Sequence, residues 1–429
     1  MLITKPRGTS DNFYELDGST DIVINTVKML AKLNGFYEIE TPIFESIDVF
    51  KRSIGQTSNI INKEFYEFID KGDRHMALRP EMTASIARAV VENKILDKQP
   101  LPFRCFYVGP MFRYERPQSG RMRQFTQFGI ECIGADSYYD DVECLLFALS
   151  ILESYQYEDY IIKINNICGF ETRQKWIEAL KEYLSAFKDK LSEDSLKRLE
   201  TNPLRILDDK VDGKKDFIVS APKIKQFATL EENKYFEKIK TNLDLLKINY
   251  IEDETLVRGL DYYSNFIFEI ESTSKDLIGQ PTLIGGGRYN NLFSEFGGKN
   301  VGSVGFAMGI ERFLVALKDN KILNSYKNAY KICDAVIANI AEDTNPIALI
   351  VARMLRMAGI SCICNHSVFK LEKHFKIAEN SNAQYVLIIG PEEIRRQVVI
   401  VKDQITKKQE EVSIDDLIKY FTKKTGRAS

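Results

Sequence analysis

Residues 103–114 and 122–134 are long apolar and aromatic runs, separated by a polar stretch containing Pro117, Ser119 and Gly120. Two such runs joined by turn residues pair as a β-hairpin. Further strand signals fall at 255–272 and 280–285, and helical spacing at 20–35, 81–94, 140–157 and 309–318. Runs of strands beside separate helices make this body α+β with a mainly antiparallel sheet.

In 20–35 the apolar positions Ile22, Val23, Val27, Leu30 and Leu33 recur at helical intervals, and Gly35 follows as a stop. The segment after it runs extended into Thr41-Pro42, because the residue before proline avoids helix. Residues 170–250 are rich in Lys, Glu and Leu at helical spacing and read as a helical insertion. Residues 320–330 read as a linker. Beyond it, strand and helix alternate from DAVIANI to QVVIVKD. That alternation predicts a small α/β domain with a largely parallel sheet. The expected organisation is a body over 1–325 and a second domain over 331–429.

The composition, 44% hydrophobic and 28% charged in 429 residues, excludes disordered, collagen-like and disulfide-miniprotein classes. The formal net charge of −2 suggests no nucleic-acid partner. It conceals an asymmetry: residues 326–429 carry a net +4 and the rest −6. The seven scattered cysteines read as reduced thiols of a cytoplasmic chain. Neither a secretory leader nor a membrane span is expected. Cys362, Cys364 and His366 fall on one strand face, but their spacing is not that of a zinc site, and no zinc is expected. His75 reads as structural.

The hairpin turn holds Arg113, Arg116, Arg121 and Arg123 against one acid, Glu115. Guanidinium forks match phosphate oxygens; the alternative is a solvated, salt-bridged tip. Strand alternation puts Arg113 and Glu115 on one face, and Arg123, Phe125, Gln127, Gly129 and Glu131 together on the return strand. Such a face is poor core, and its charges need partners or a ligand if buried.

Three more segments stand out. LVRGLDYY clusters Arg258, Asp261, Tyr262 and Tyr263, which suits either an anion site or an aromatic surface loop. IGGGRYNNL brings three consecutive glycines. They permit close approach of a backbone or flat ligand, with a structural turn as the default. VGFAMGIERF places Arg312 in the first turn of a helix, where a surface salt bridge is the ordinary reading.

Together with PRGTSD (6–11), LRPEMTA (78–84) and NPLRILDDK (202–210), these segments resemble histidyl-tRNA synthetase, a class II aminoacyl-tRNA synthetase. The resemblance implies an antiparallel catalytic sheet flanked by helices, a helical insertion, a C-terminal anticodon-binding domain and a homodimer paired near Thr41-Pro42. It implies L-histidine, ATP with Mg²⁺, and tRNA(His) as ligands. By matching position, Arg113 holds the α-phosphate, Glu115 the adenine, Arg312 the far phosphate, and Arg121 lies near the phosphates. Arg258 stands where other class II enzymes use a metal ion. Glu81, Thr83 and Gln127 hold the α-amino end of histidine; Glu131 and Tyr263, with Tyr262 nearby, take the imidazole. Arg116 and Gln118 lie against the acceptor end of the tRNA. The amino-acid carboxylate that attacks the α-phosphorus is already ionised, so the chemistry needs positioning and charge neutralisation rather than a general base. A pocket bonding both ring nitrogens rejects analogues lacking them, so no editing site is expected.

One position departs from the family pattern: Thr126 stands where the family has histidine. Alternation puts it on the face opposite Gln127 and Glu131, so only packing behind the ligand set is expected to change. The rival readings are a non-catalytic regulatory paralogue of histidine biosynthesis and an acyl-adenylate enzyme acting on something other than tRNA.

Overall fold

The computed structural model describes residues 3–13, 18–54, 64–118, 120–207, 209, 211–367 and 370–425. Ser119, Asp208 and Lys210 of the sequence motifs lie outside the described residues, as do Met1 and Leu2 at the start of the chain. The fold divides into two compact units, one taking in Ser19–Leu323 and the other Asn324 onward.

The first unit is built on one sheet of strands β1 (Tyr37–Glu38), β2 (Phe103–Phe112), β3 (Gln124–Ile133), β4 (Tyr160–Asn166), β5 (Ile251–Glu252), β6 (Phe266–Ser272), β7 (Thr282–Arg288) and β8 (Ser303–Gly309). Their spatial order is β1-β2-β3-β8-β7-β6-β4-β5. The six long strands run antiparallel to one another, and the two-residue strands at the edges pair in parallel. Phe44–Ser46, His75–Leu78 and Glu67–Ile69 form a separate three-stranded sheet. His75 is on it, exposed and paired with Glu67 at 2.8 Å.

Helices of this unit used below are α1 (Ser19–Leu33), α2 (Thr83–Glu92), α3 (Tyr138–Glu153), α4 (Phe170–Ser185), α5 (Leu230–Leu245) and α6 (Ile310–Ala316). Strand alternation sends Phe106, Phe128, Ile130, Phe268, Ile270, Phe306 and Met308 to one sheet face, where they pack with α1, α3, α5 and α6. The stripe of α1 that is buried runs Val23, Val27 and Ala31; Leu33, expected in it, is exposed. The opposite face meets α2 and the expected insertion only as far as Ala228, with α5 on the first face; that part's core centres on Trp176, fully buried with its indole N–H on the Pro222 carbonyl at 2.7 Å.

Three expectations need correction. The strand signal at 255–272 begins only at Phe266, and 257–264 is loop. The triple glycine is no turn: Gly285, Gly286 and Gly287 lie inside β7, a central strand. Residues 320–330 are not a plain linker but include a helix, α7 (Lys321–Ala329), begun by Asn320, whose Oδ1 accepts from the Leu323 N–H at 2.9 Å. Its asparagines hide an apolar stripe that buries Leu323.

The second unit has strands β9 (Ala335–Asn339), β10 (Cys362–Cys364), β11 (Tyr385–Ile389), β12 (Val398–Asp403) and β13 (Gln409–Ser413), in the order β10-β9-β11-β12-β13. Helices α8 (Asn345–Met357) and α9 (Leu371–Asn380) connect the first three, which are parallel. β12 and β13 add antiparallel, so the sheet is mixed rather than largely parallel. The sequence reading missed β13, whose QEEVS is mostly exposed and polar.

Candidate active site

Directly opposed residues of antiparallel strands share a face. On the insertion-side face one such row runs Tyr107, Gly129, Ala307, Gly285, Glu269 across five strands. The next row runs Cys105, Glu131, Gly305, Gly287. The glycines leave room for large neighbours. A Cβ on Gly129 would overlap the Tyr107 ring, one on Gly305 the Glu131 carboxylate, and one on Gly285 the Arg258 guanidinium. The glycine-dense strands thus form a low floor beneath charged and aromatic side chains.

Above that floor is a cavity of about 310 Å³. Glu81, Thr83, Arg113, Glu115, Arg121, Gln127, Glu131, Arg258, Tyr262, Tyr263 and Arg312 all line it. Arg116 and Gln118 do not; they are exposed on the hairpin tip, where Gln118 and Arg121 exchange backbone hydrogen bonds at 3.1 and 2.9 Å. Strand β2 ends at Phe112, so Arg113 and Glu115 reach the cavity from the turn rather than from the strand. Arg123 leaves the expected face and stacks on the Tyr114 ring, 4.0 Å from its centre.

One cluster in the cavity is a buried carboxylate network. Glu81 accepts from the Thr83 and Ala84 N–H groups at 2.7 and 3.0 Å. Thr83 donates its hydroxyl to Glu131 at 2.6 Å, and the Tyr289 hydroxyl donates to the other Glu131 oxygen. Tyr107 donates to Gln127 at 3.1 Å. Burial raises Glu81 above the ordinary carboxylate value and pushes Glu131 up to about 8.

A second cluster is cationic. Arg113 donates to the Pro80 carbonyl at 2.8 Å and lies over Phe125. Arg121 pairs with Glu115. Arg312 donates to the carbonyls of Gly120 and Thr282 at 3.1 and 2.8 Å. Burial, then the charges of Arg113 and Arg121, lower Arg312 to about 10. Cations that depress one another in a partly dry cavity make a site for an anion.

Arg258 joins the clusters. It pairs with Glu269 and its guanidinium sits 5.4 Å from the centre of the Tyr263 ring. Burial pulls its pKa down, but Glu269 and Tyr263 more than offset this and raise it. Its Nε–H is buried and has no hydrogen-bond partner among the described residues. Thr126 is absent from the cavity wall, on the face that also carries Phe128 and Ile130. Its N–H donates to both oxygens of Glu311 at 2.8 and 2.9 Å, and Glu311 does line the cavity. That contact is made by the backbone, in the plane of the sheet, and does not depend on the side chain at this position.

Sequence reasoning missed Tyr107, Tyr289, Glu269 and Glu311. Only the strand register, which sets Glu269 opposite Gly285 and Tyr107 opposite Gly129, could have found the first and third.

An antiparallel sheet bearing clustered arginines and a buried carboxylate network over glycine-rich strands is the arrangement that the motifs imply for a class II aminoacyl-tRNA synthetase. The histidyl-tRNA synthetase profile matches residues 20–313, and an anticodon-binding-domain profile matches 334–424. The histidine–tRNA ligase of Malacoplasma penetrans is 44% identical over 97% of both chains. That of Staphylococcus haemolyticus is 39% identical over 99% of this chain and 100% of its own. The crystal structure of the apo Staphylococcus aureus histidyl-tRNA synthetase superposes with a TM-score of 0.79 at 33% identity, covering 98% of this chain and 100% of that one. The chain belongs to the histidyl-tRNA synthetase family.

Proposed function

We propose that this enzyme activates L-histidine with ATP in the cavity above β3, β7 and β8, then transfers the histidyl group to the 3′ end of tRNA(His). The observation that carries the reading is the convergence of Arg113, Arg258 and Arg312 with Glu81, Gln127, Glu131 and Tyr263 on one cavity. In this reading Glu81, Thr83 and Gln127 hold the α-amino group, and Glu131 with Tyr263 receives the imidazole. Tyr262 packs beside them. Arg113 holds the α-phosphate, Glu115 the adenine, and Arg312 and Arg121 the outer phosphates.

The histidine carboxylate attacks the α-phosphorus in line. One P–O bond forms, the bond to the β-phosphate oxygen breaks, and pyrophosphate leaves with its electron pair. Arg258 and Arg113 neutralise the charge that develops, in a partly dry site where fixed cations act strongly. The terminal ribose hydroxyl then attacks the histidyl carbonyl and AMP leaves. Mg²⁺ fits the donor set as a companion of ATP, since it takes one or two carboxylates with phosphate and water, and Glu311 lines the cavity beside Arg312. Bound there, it would offset charge on the pyrophosphate oxygens.

In the same reading residues 1–325 are the catalytic domain, with its insertion at about 170–250. Residues 331–429 are the anticodon domain, and exposed Arg116 and Gln118 meet the acceptor end. The protein acts as a cytoplasmic homodimer; among the described residues no helix is long and apolar enough to cross a membrane. Histidine-dependent exchange between pyrophosphate and ATP, followed by charging of tRNA, tests the proposal. Absence of exchange would favour a regulatory paralogue, and exchange without charging an adenylate-forming enzyme with another acceptor.

A further inference from the structure

The loop 257–264 carries Arg258, Tyr262 and Tyr263 and contains no helix or strand. It is a thin wall. Arg258, Leu260 and Tyr262 line the substrate cavity and also a second cavity, of about 350 Å³, on the insertion side. Arg173 and Trp176 of α4 bound that second cavity, as do Asn202 and Arg205 from the NPLRILDDK run.

Arg173 reaches from α4 to the back of this loop. It donates from Nη1 to the Tyr263 carbonyl and from Nη2 to the Asp261 carbonyl at 3.4 Å. Its own base is fixed, because Glu232 of α5 accepts from the Gly169 N–H at 2.7 Å and the Thr172 hydroxyl at 2.9 Å. The loop's far end is tied to the same place. Ile167 donates to the Asn265 carbonyl at 2.8 Å and Asn265 to the Cys168 carbonyl at 3.0 Å, with Asn265 and Cys168 both left-handed at φ 53° and 55°. A contact chain thus runs from the insertion through Arg173 to the Tyr263 backbone, and from the Tyr263 ring to Arg258.

We infer that Arg173 is a positioning residue, which holds the loop from behind so that Arg258 and Tyr263 aim into the substrate cavity. The inference rests on the reading of that cavity as the histidine-activating site. Two carbonyls two residues apart need a planar fork with several donors, which lysine's point charge cannot supply. A displacement of about 1 Å at reacting groups lowers rates about 100-fold.

The test is histidine-dependent pyrophosphate exchange by the full-length enzyme. Arg173→Ala is expected to lose about 100-fold in kcat/KM for histidine while KM for ATP moves less than about threefold. Arg173→Lys is expected to recover little. Guanidinium at sub-denaturing concentration is expected to restore part of the alanine variant's activity, because the second cavity opens beside the missing side chain. It should not stimulate the unsubstituted enzyme. Unchanged histidine kinetics in Arg173→Ala would overturn the inference. So would a rise in KM for ATP as large as that for histidine, without guanidinium rescue, the signature of a merely structural role. If the alanine variant does not fold, the lysine variant carries the test through the same split between histidine and ATP. Failure of the unsubstituted protein to exchange at all would instead overturn the reading of the cavity.

Discussion

Gly285 and Arg258 occupy complementary space: the glycine in β7 lacks the Cβ that would overlap the guanidinium. The obstructing group is the far end of a long side chain, so Gly285→Ala need not disturb the backbone. Its expected effect is a displaced Arg258, with histidine activation down about 100-fold and a nearly unchanged melting temperature. Gly286→Ala differs, because its Cβ would meet the Gly305 carbonyl and the Phe306 and Phe268 side chains. There the melting temperature should fall as well. Thermal melts and exchange rates of the two variants, side by side, check the contrast.

Glu131 ties pH to both stability and binding. Burial raises it from 4.5 to about 8 in the fold. The folded state therefore holds an extra proton between those values, and its stability falls as pH rises through that window. Glu131→Gln removes the dependence, so relative to the unsubstituted protein it is expected to melt higher at about pH 8.5 than at about pH 5.5. In the proposed site Glu131 accepts the ring N–H of histidine, which needs the carboxylate. Its affinity is expected to rise between about pH 7 and pH 8.5 with proton release, and to be lost in the glutamine variant. Calorimetric titration measures both; a flat affinity profile would contradict the assignment.

Arg288 is also an arginine of the glycine-rich motif, but its work is structural. It is buried against Asp141 at 3.0 Å and donates to the Ala135 and Ser137 carbonyls. The Tyr235 hydroxyl of α5 meets the same aspartate. Arg288→Ala leaves a buried carboxylate uncompensated, which typically costs about 3–5 kcal/mol. Urea unfolding should show that loss, and a smaller one for Arg258→Ala, because Glu269 is partly exposed and keeps the Thr282 hydroxyl at 3.0 Å.

Thr126→His restores the family's residue outside the cavity wall. The Michaelis constants for histidine and ATP are expected to stay nearly unchanged. A shift of about tenfold in either would count against the placement.

The hairpin was legible because its apolar runs are long and its arginines dense, and strand alternation alone put Gln127 and Glu131 on one face. β7 was not. Glycine disfavours strands, and only its neighbours explain it: Gly285 makes room for Arg258 of the loop above the sheet. Glu269 and Tyr289 looked like any strand acid and any tyrosine until register and folding set them against Arg258 and Glu131. Helix α7 was hidden by asparagines, although one of them starts it. The near-zero net charge misled for a similar reason, since an average says nothing of where Arg113, Arg121 and Arg312 gather.

The central claim is that these arginines and carboxylates form a histidine-activating site, and pyrophosphate exchange by Arg258→Ala tests it most directly. Exchange by the unsubstituted protein is expected to require histidine, and Arg258→Ala is expected to lose that exchange while still folding. Normal exchange by Arg258→Ala, or none by the unsubstituted enzyme, would contradict it.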